Sequence, residues 1–210
     1  MLRATRTPHE SMYNWRKLTD VQKQEALELR QSRHLPWHSP PHLDFEGARQ
    51  YLISSACYEH KPIIGTSSER MTECESSVIQ VCEEFCSHIY AWCILPNHYH
   101  VLIKTDRIKD LRFGLGQFHG RSSFEWNGED NRRGRKVWHN WFDRRMKSER
   151  HFLATLNYVH HNPVHHGYVE HWQDWPWSSA REYLEQVGHE RAKTIWQEYP
   201  ILDYGSKWDL

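Results

Sequence analysis

His98 and His100 are the first residues of this 210-residue chain whose types and spacing could do chemistry. On a strand, residues two apart point the same way. Both imidazoles then project from one face, while Tyr99, Val101 and Ile103 point to the other. Two imidazoles side by side can grip one divalent ion. A His-x-His pair also arises by chance in a chain with 17 histidines, so alone it carries little weight. A second group lies in residues 149–161. Phe152, Leu153, Leu156 and Val159 fall on one side at helical spacing and read as a buried stripe. Tyr158 lies roughly 140° from the middle of that stripe. A large aromatic pointing away from the stripe is not behaving like packing. Asn162, four residues on, returns to nearly the same azimuth. A phenol and an amide oxygen would stand side by side, although Asn162 could also simply end the helix before Pro163.

These residues need elements to hold them. Residues 51–58 read as a strand. Ser67 or Ser68 can cap a helix running to about residue 87, with Met71, Cys74, Val78, Val81, Cys82 and Phe85 on one face. Residues 89–95 form an apolar run, Pro96 and Asn97 punctuate it, and residues 98–105 form the partner strand of a hairpin. Residues 108–126 read as a helix, 127–134 as a loop, 137–142 as a fourth strand, and 149–161 as a helix that ends before Pro163. The order β-α-β-β-α-β predicts an α+β, ferredoxin-like antiparallel sheet. Helices would pack on one face and leave the other open to a ligand. Residues 1–47, with a polar helix over 12–34 and a proline-rich stretch after it, read as an N-terminal extension. Residues 48–184 form the predicted catalytic domain and 185–210 a C-terminal tail.

Composition narrows the classes. The chain is 38% hydrophobic and 26% charged, as expected of a globular protein. No run of 18 apolar residues occurs, so no membrane span is expected. The first residues carry no apolar stretch of the secretory kind. Five cysteines without a Cys-x-x-Cys pair argue against a disulfide framework and for a reducing cytoplasm. Cys82, Cys86 and His88 imitate a zinc site but fall on a helical pattern and read as core. Net charge is zero, yet residues 101–150 carry 13 Lys and Arg against 7 Asp and Glu. Arg132, Arg133, Arg135 and Lys136 concentrate that excess, in a form suited to a phosphate backbone. Trp172, Trp175 and Trp177 are expected to seal the tail against the helix bearing Tyr158 rather than to stack on bases. His160, His161, His165 and His166 are expected as a surface cluster.

Two stretches together resemble a known family. Leu95, Pro96, Asn97, His98, Tyr99, His100, Val101 and Leu102 resemble the HUH motif (His, hydrophobic, His) of single-tyrosine transposases. Tyr158, Val159, His160, His161, Asn162, Pro163 and Val164, then Gly167, then Asp174, Trp175, Pro176, Trp177, Ser178 and Ser179, resemble the subgroup of REP-associated tyrosine transposases. The likeness runs over about residues 49–184. It implies the ferredoxin-like fold. It also implies Mg²⁺ or Mn²⁺ on His98 and His100, with Asn162 where relatives usually carry Gln, and Tyr158 as nucleophile. The implied substrate is single-stranded DNA beside a short imperfect hairpin, cut through a 5′-phosphotyrosine link. A monomer or homodimer in the cytoplasm, associated with the nucleoid, is expected. The rival readings are a domesticated protein that binds hairpins without cutting, and a hydrolase that uses the His pair with water. A covalent protein–DNA adduct separates them.

Overall fold

The computed structural model describes residues 47–202 together with Val21 and Tyr204. Four strands pair antiparallel: β1 (Arg49–Ala56), β2 (His88–Ile94), β3 (His98–Thr105) and β4 (Phe142–Arg145), in the order β2-β3-β1-β4. Helix α1 (Ser68–Phe85) links β1 to β2, and α2 (Ile108–Glu129) links β3 to β4. Then come α3 (Glu149–His165), α4 (Ala180–Val187) and α5 (His189–Glu198). This is the α+β, ferredoxin-like plan expected from the sequence. Apart from Val21 and Gly47, the N-terminal extension lies outside the described residues.

Alternation along the strands divides the core in two. Tyr51, Ile53, Tyr99, Val101 and Ile103 pack with Cys74, Val78, Leu111, Leu115 and Phe118 of α1 and α2. Ser67 caps α1 by accepting from the Arg70 amide at 3.2 Å, as a serine at that position should. Leu52, Ala91, Cys93 and Leu102 point the opposite way, and the sheet face they form is not open. Leu156, Tyr158 and Val159 of α3 pack onto it. The expectation of a bare ligand-facing surface is therefore corrected. Strand residues apolar on both sides must be covered on both sides.

Three further local expectations shift. Residues 137 and 138 do not belong to the fourth strand. Val137 and Trp138 are buried with α1 and α2, Trp138 lies flat against His119 at 4.3 Å, and only one isolated bridge joins Trp138 to Cys57. The core claims these side chains first, and β4 forms once the chain has passed it. Helix α3 runs through Pro163 to His165. Near the helix end the missing proline N–H forfeits a single ladder bond. The stop is Gly167, whose φ of 72° suits a residue without Cβ, with its N–H donating to Val164 at 3.0 Å. Finally, Tyr158 does not point away from the packing. The helix is held between the sheet and α5, where the Asn157 amide donates to the Tyr199 carbonyl at 2.8 Å. A stripe analysis assumes one partner, and α3 has two.

The Trp-rich segment pairs with the edge of the sheet. The Ile94 amide donates to the Trp177 carbonyl at 2.9 Å, and the Ser179 amide to the Trp92 carbonyl at 3.1 Å. Trp175 donates its indole N–H to the Ile94 carbonyl at 2.8 Å, and Trp172 stacks on His160 of α3. So Trp172 seals against α3 as expected, while Trp175 and Trp177 seal against β2. The five cysteines are free, four of them buried. Among the described residues no helix is long and apolar enough to cross a membrane.

A buried ion network fixes the loop after α2. The Arg70 guanidinium, 6% exposed, donates to both carboxylate oxygens of Asp130, to Glu129 and to the Ile63 carbonyl. Arg135 reaches the same Asp130 at 2.6 Å. The two guanidiniums hold the Asp130 carboxyl down at about 2. Removing Arg70 leaves Asp130 with Arg135 as its cation and takes a donor from the Ile63 carbonyl. Arg70→Ala is expected to lower unfolding free energy by about 2–3 kcal/mol, the scale of lost hydrogen bonds to charged groups, read from urea denaturation. A loss under about 1 kcal/mol would mean solvent replaces the network at little cost.

Candidate active site

The hairpin between β2 and β3 delivers the first two groups. Gly65 makes room for its turn, since a Cβ there would collide with the Pro96 ring. The Gly65 amide also donates to the Pro96 carbonyl at 2.9 Å. From there β3 carries His98 and His100 onto the α3 side of the sheet, with ring centroids 5.0 Å apart. Helix α3 supplies the other two groups. The Tyr158 hydroxyl lies 3.2 Å from His100 Nε2, and Asn162 Oδ1 lies 3.0 Å from His98 Nε2. The four residues inferred from spacing thus meet in one place. All four are buried, at 1–3% exposure.

Each imidazole is held from behind. His98 Nδ1 is 2.8 Å from Asn97 Oδ1, while the Asn97 amide nitrogen donates to the His60 carbonyl at 3.3 Å. That second bond turns Oδ1 toward the imidazole, so Nδ1–H is the donor and Nε2 keeps its lone pair. His100 Nδ1 is 2.6 Å from Ser54 Oγ, its cross-strand partner in the register. Anchoring one ring nitrogen to orient the other is how metal-binding histidines are commonly prepared.

This arrangement allows a test of fit for a divalent ion. A neutral His98 presents an Nε2 lone pair to the Asn162 carbonyl oxygen, and two acceptors at 3.0 Å call for a cation between them. His100 Nε2 opens onto the same space beside the phenol. The donor set of two imidazoles and one amide oxygen fits a loosely held hard ion. Among the described residues no group of three His, Cys, Asp or Glu could hold a metal.

Other candidates fall elsewhere. The loop of Arg132, Arg133, Arg135 and Lys136 is not brought into the His98 cluster. Arg135 is committed to Asp130 and Asn127. Arg133 donates to the Phe124 carbonyl at 2.6 Å and lies over that ring. Lys136 lies over Tyr58, two residues beyond Ala56, and Ala56 pairs with His98. The loop therefore stands at the same end of the sheet as the histidines. Of the expected surface histidines, His160 is instead fully internal, bonded to Ser179 Oγ at 2.9 Å and held by burial at about 3, hence neutral. His166 approaches His98 with ring centroids 5.0 Å apart.

Spacing gave no sign of Asn97, Ser54 or Tyr204 as members of the site. Asn97 reads as a turn residue, and Ser54 needs the strand register. Tyr204 packs edge-on against Tyr158 at 5.1 Å, with its hydroxyl 2.7 Å from Thr155 Oγ1. Burial raises its pKa, so it stays a phenol.

Comparison with known proteins places the chain among relatives of one kind. The family model described as "Transposase IS200 like" matches residues 50–171. A putative REP-associated tyrosine transposase of Haemophilus influenzae is 29% identical over 130 residues, spanning 53% of this chain and 69% of that protein. A solved structure of a REP-associated tyrosine transposase bound to a REP hairpin aligns with TM-score 0.51 and 17% identity. It covers 70% of this chain and 84% of its own. At that identity the likeness speaks for the fold.

Proposed function

Because the chain belongs to the IS200-like transposase family, we propose that it is a metal-dependent endonuclease and strand transferase acting on single-stranded DNA beside a hairpin, with Tyr158 as nucleophile. The observation that carries this reading is the meeting of the Tyr158 hydroxyl with His100, and of Asn162 with His98, at hydrogen-bond distance. Tyr99 in the core also bonds a histidine, His119 at 3.0 Å, but only Tyr158 does so beside a second imidazole that faces an amide oxygen. A nucleophile gains orientation and a partner for its proton.

The balance of the step is simple. The Tyr158 oxygen attacks the phosphorus, the bond from phosphorus to the 3′ oxygen breaks, and the phenol proton ends formally on that oxygen. The products are a 5′-phosphotyrosine and a free 3′-hydroxyl, so reversal needs no outside energy source. Mg²⁺ or Mn²⁺ held by His98, His100 and Asn162 would lower the phosphate charge and favour the phenolate. Ser54 and Asn97 keep the two imidazoles turned toward the phosphate. In this reading residues 48–184 form the catalytic domain. Arg132 and Lys136 contact backbone phosphates, while Arg133 and Arg135 hold the loop that presents them. Phosphate contacts of this kind position the strand without reading sequence.

Formation of an adduct tests the reading. An oligonucleotide with a hairpin and a single-stranded 5′ flank should be cut in the flank and become linked to protein in Mg²⁺ or Mn²⁺. The fully paired duplex of the same sequence should be cut far less. Cleavage without a covalent adduct would favour a water-using hydrolase. Binding without cleavage would favour a domesticated hairpin binder.

A further inference from the structure

We infer that the cavity enclosed by α3, α4 and α5 is a seat for one unpaired DNA base, separate from the Tyr158 cluster. The cavity measures about 430 Å³ and runs between His161 on α3, Trp172, Leu184 on α4, and Ala192 and Trp196 on α5. Its floor is apolar, because Leu184 and Ala192 are buried. Its walls are aromatic. Trp172 stacks on His160 at 5.6 Å, and Trp196 lies 4.8 Å from His161. Lys193 and His189 stand exposed at the rim, with Glu190 beside them.

Volume and chemistry point to one occupant. Two indoles over an apolar floor accept the flat face of a base, which every base has whatever its sequence. Lys193 at the rim suits the phosphate that follows it. A single nucleotide fits the lower end of the range of small-molecule pockets. His161 sits three residues after Tyr158, so wall and nucleophile are neighbours one helical turn apart. A strand whose scissile phosphate lies at Tyr158 therefore has nearby bases within reach of the cavity. The ligand class rests on the strand-cleaving reading above, while the cavity itself does not.

The test compares two probes of equal charge and length, a 16-nucleotide oligothymidylate and the corresponding abasic strand, bound to the full chain with EDTA present so that nothing is cut. The wild type should prefer the strand with bases by about tenfold, the size of one base-on-aromatic stack. Trp196→Leu fills the space without a flat ring. It should abolish that preference and leave binding of the abasic strand unchanged. Trp196→Phe should keep most of the preference, and Trp172→Leu gives an independent second reading. Lys193→Ala should weaken both strands alike. Equal binding of the two strands by the wild type overturns the inference, as does an equal loss on both in Trp196→Leu. A protein side chain as the true occupant would give the same null result. Adduct formation on the hairpin substrate separates the failures. An adduct without base preference sinks only the seat, and no adduct from any strand sinks the nuclease reading.

Discussion

Tyr158→Phe is expected to remove covalent adduct and cleavage together, by at least about 10⁴-fold, while the protein stays folded. The scale is that of deleting a nucleophile from an active-site unit. Stability should change little, because the ring keeps its contacts with His100 and Tyr204 at 5.1 Å each. The bond to His100 Nε2 is lost, worth about 1 kcal/mol. Single-strand affinity should be near that of the wild type, since the phenol is one small contact among many. The measurement is a denaturing gel that resolves protein-linked DNA, beside a thermal melt of the same sample. An adduct of undiminished yield would move the nucleophile to another residue, with Tyr204 the first to examine. Loss of folding would instead show that the hydroxyl serves the core.

The second large effect is expected at the histidines. His98→Ala and His100→Ala should each lower cleavage by about 10³-fold, the scale of removing electrostatic stabilisation from a reacting oxygen. DNA binding should persist, because it rests on contacts elsewhere. The two variants should differ in how Tyr158 behaves. His100→Ala takes away the group 3.2 Å from the phenol, whereas His98→Ala leaves that pair intact and takes away the group 3.0 Å from Asn162 Oδ1. Asn162→Ala should be milder, raising the Mn²⁺ concentration needed for half-maximal cleavage. If Asn162→Ala titrates with Mn²⁺ like the wild type, its oxygen is not a ligand. Cleavage at wild-type rates in His98→Ala would remove the metal reading altogether.

Local periodicity revealed the parts of the site that lie within single elements. The span of β3 was legible because Pro96 and Asn97 break the apolar run before it, and two-residue alternation put His98 and His100 on one face. The pairing of Tyr158 with Asn162 followed from four-residue spacing. What escaped depended on long-range packing. The Phe152–Val159 stripe suggested that Tyr158 points outward, yet it is 2% exposed, since it packs on the sheet against His100 and is flanked by Tyr204 from beyond α5. Ser54 became visible only once β1 was in register with β3. Tyr204 arrives from beyond α5, where no periodic signal links it to the nucleophile. The ion network shows the same limit. A run of basic residues read as a phosphate-binding stripe, but Arg135 spends its guanidinium on Asp130, a partner shared with the distant Arg70.

The pairing of the Trp177 and Ser178 segment with β2 bears on where this domain can be cut. The family match ends at residue 171, which invites trimming there. A chain shortened to that point would strip the cover from β2. The Ile94 amide would lose the Trp177 carbonyl, and the Trp92 amide would lose Ser179 Oγ. A bare edge strand with unpaired donors is a template for another copy. The shortened chain would then self-associate edge to edge and precipitate as concentration rises, so the natural stop for a minimal soluble fragment lies beyond Ser179.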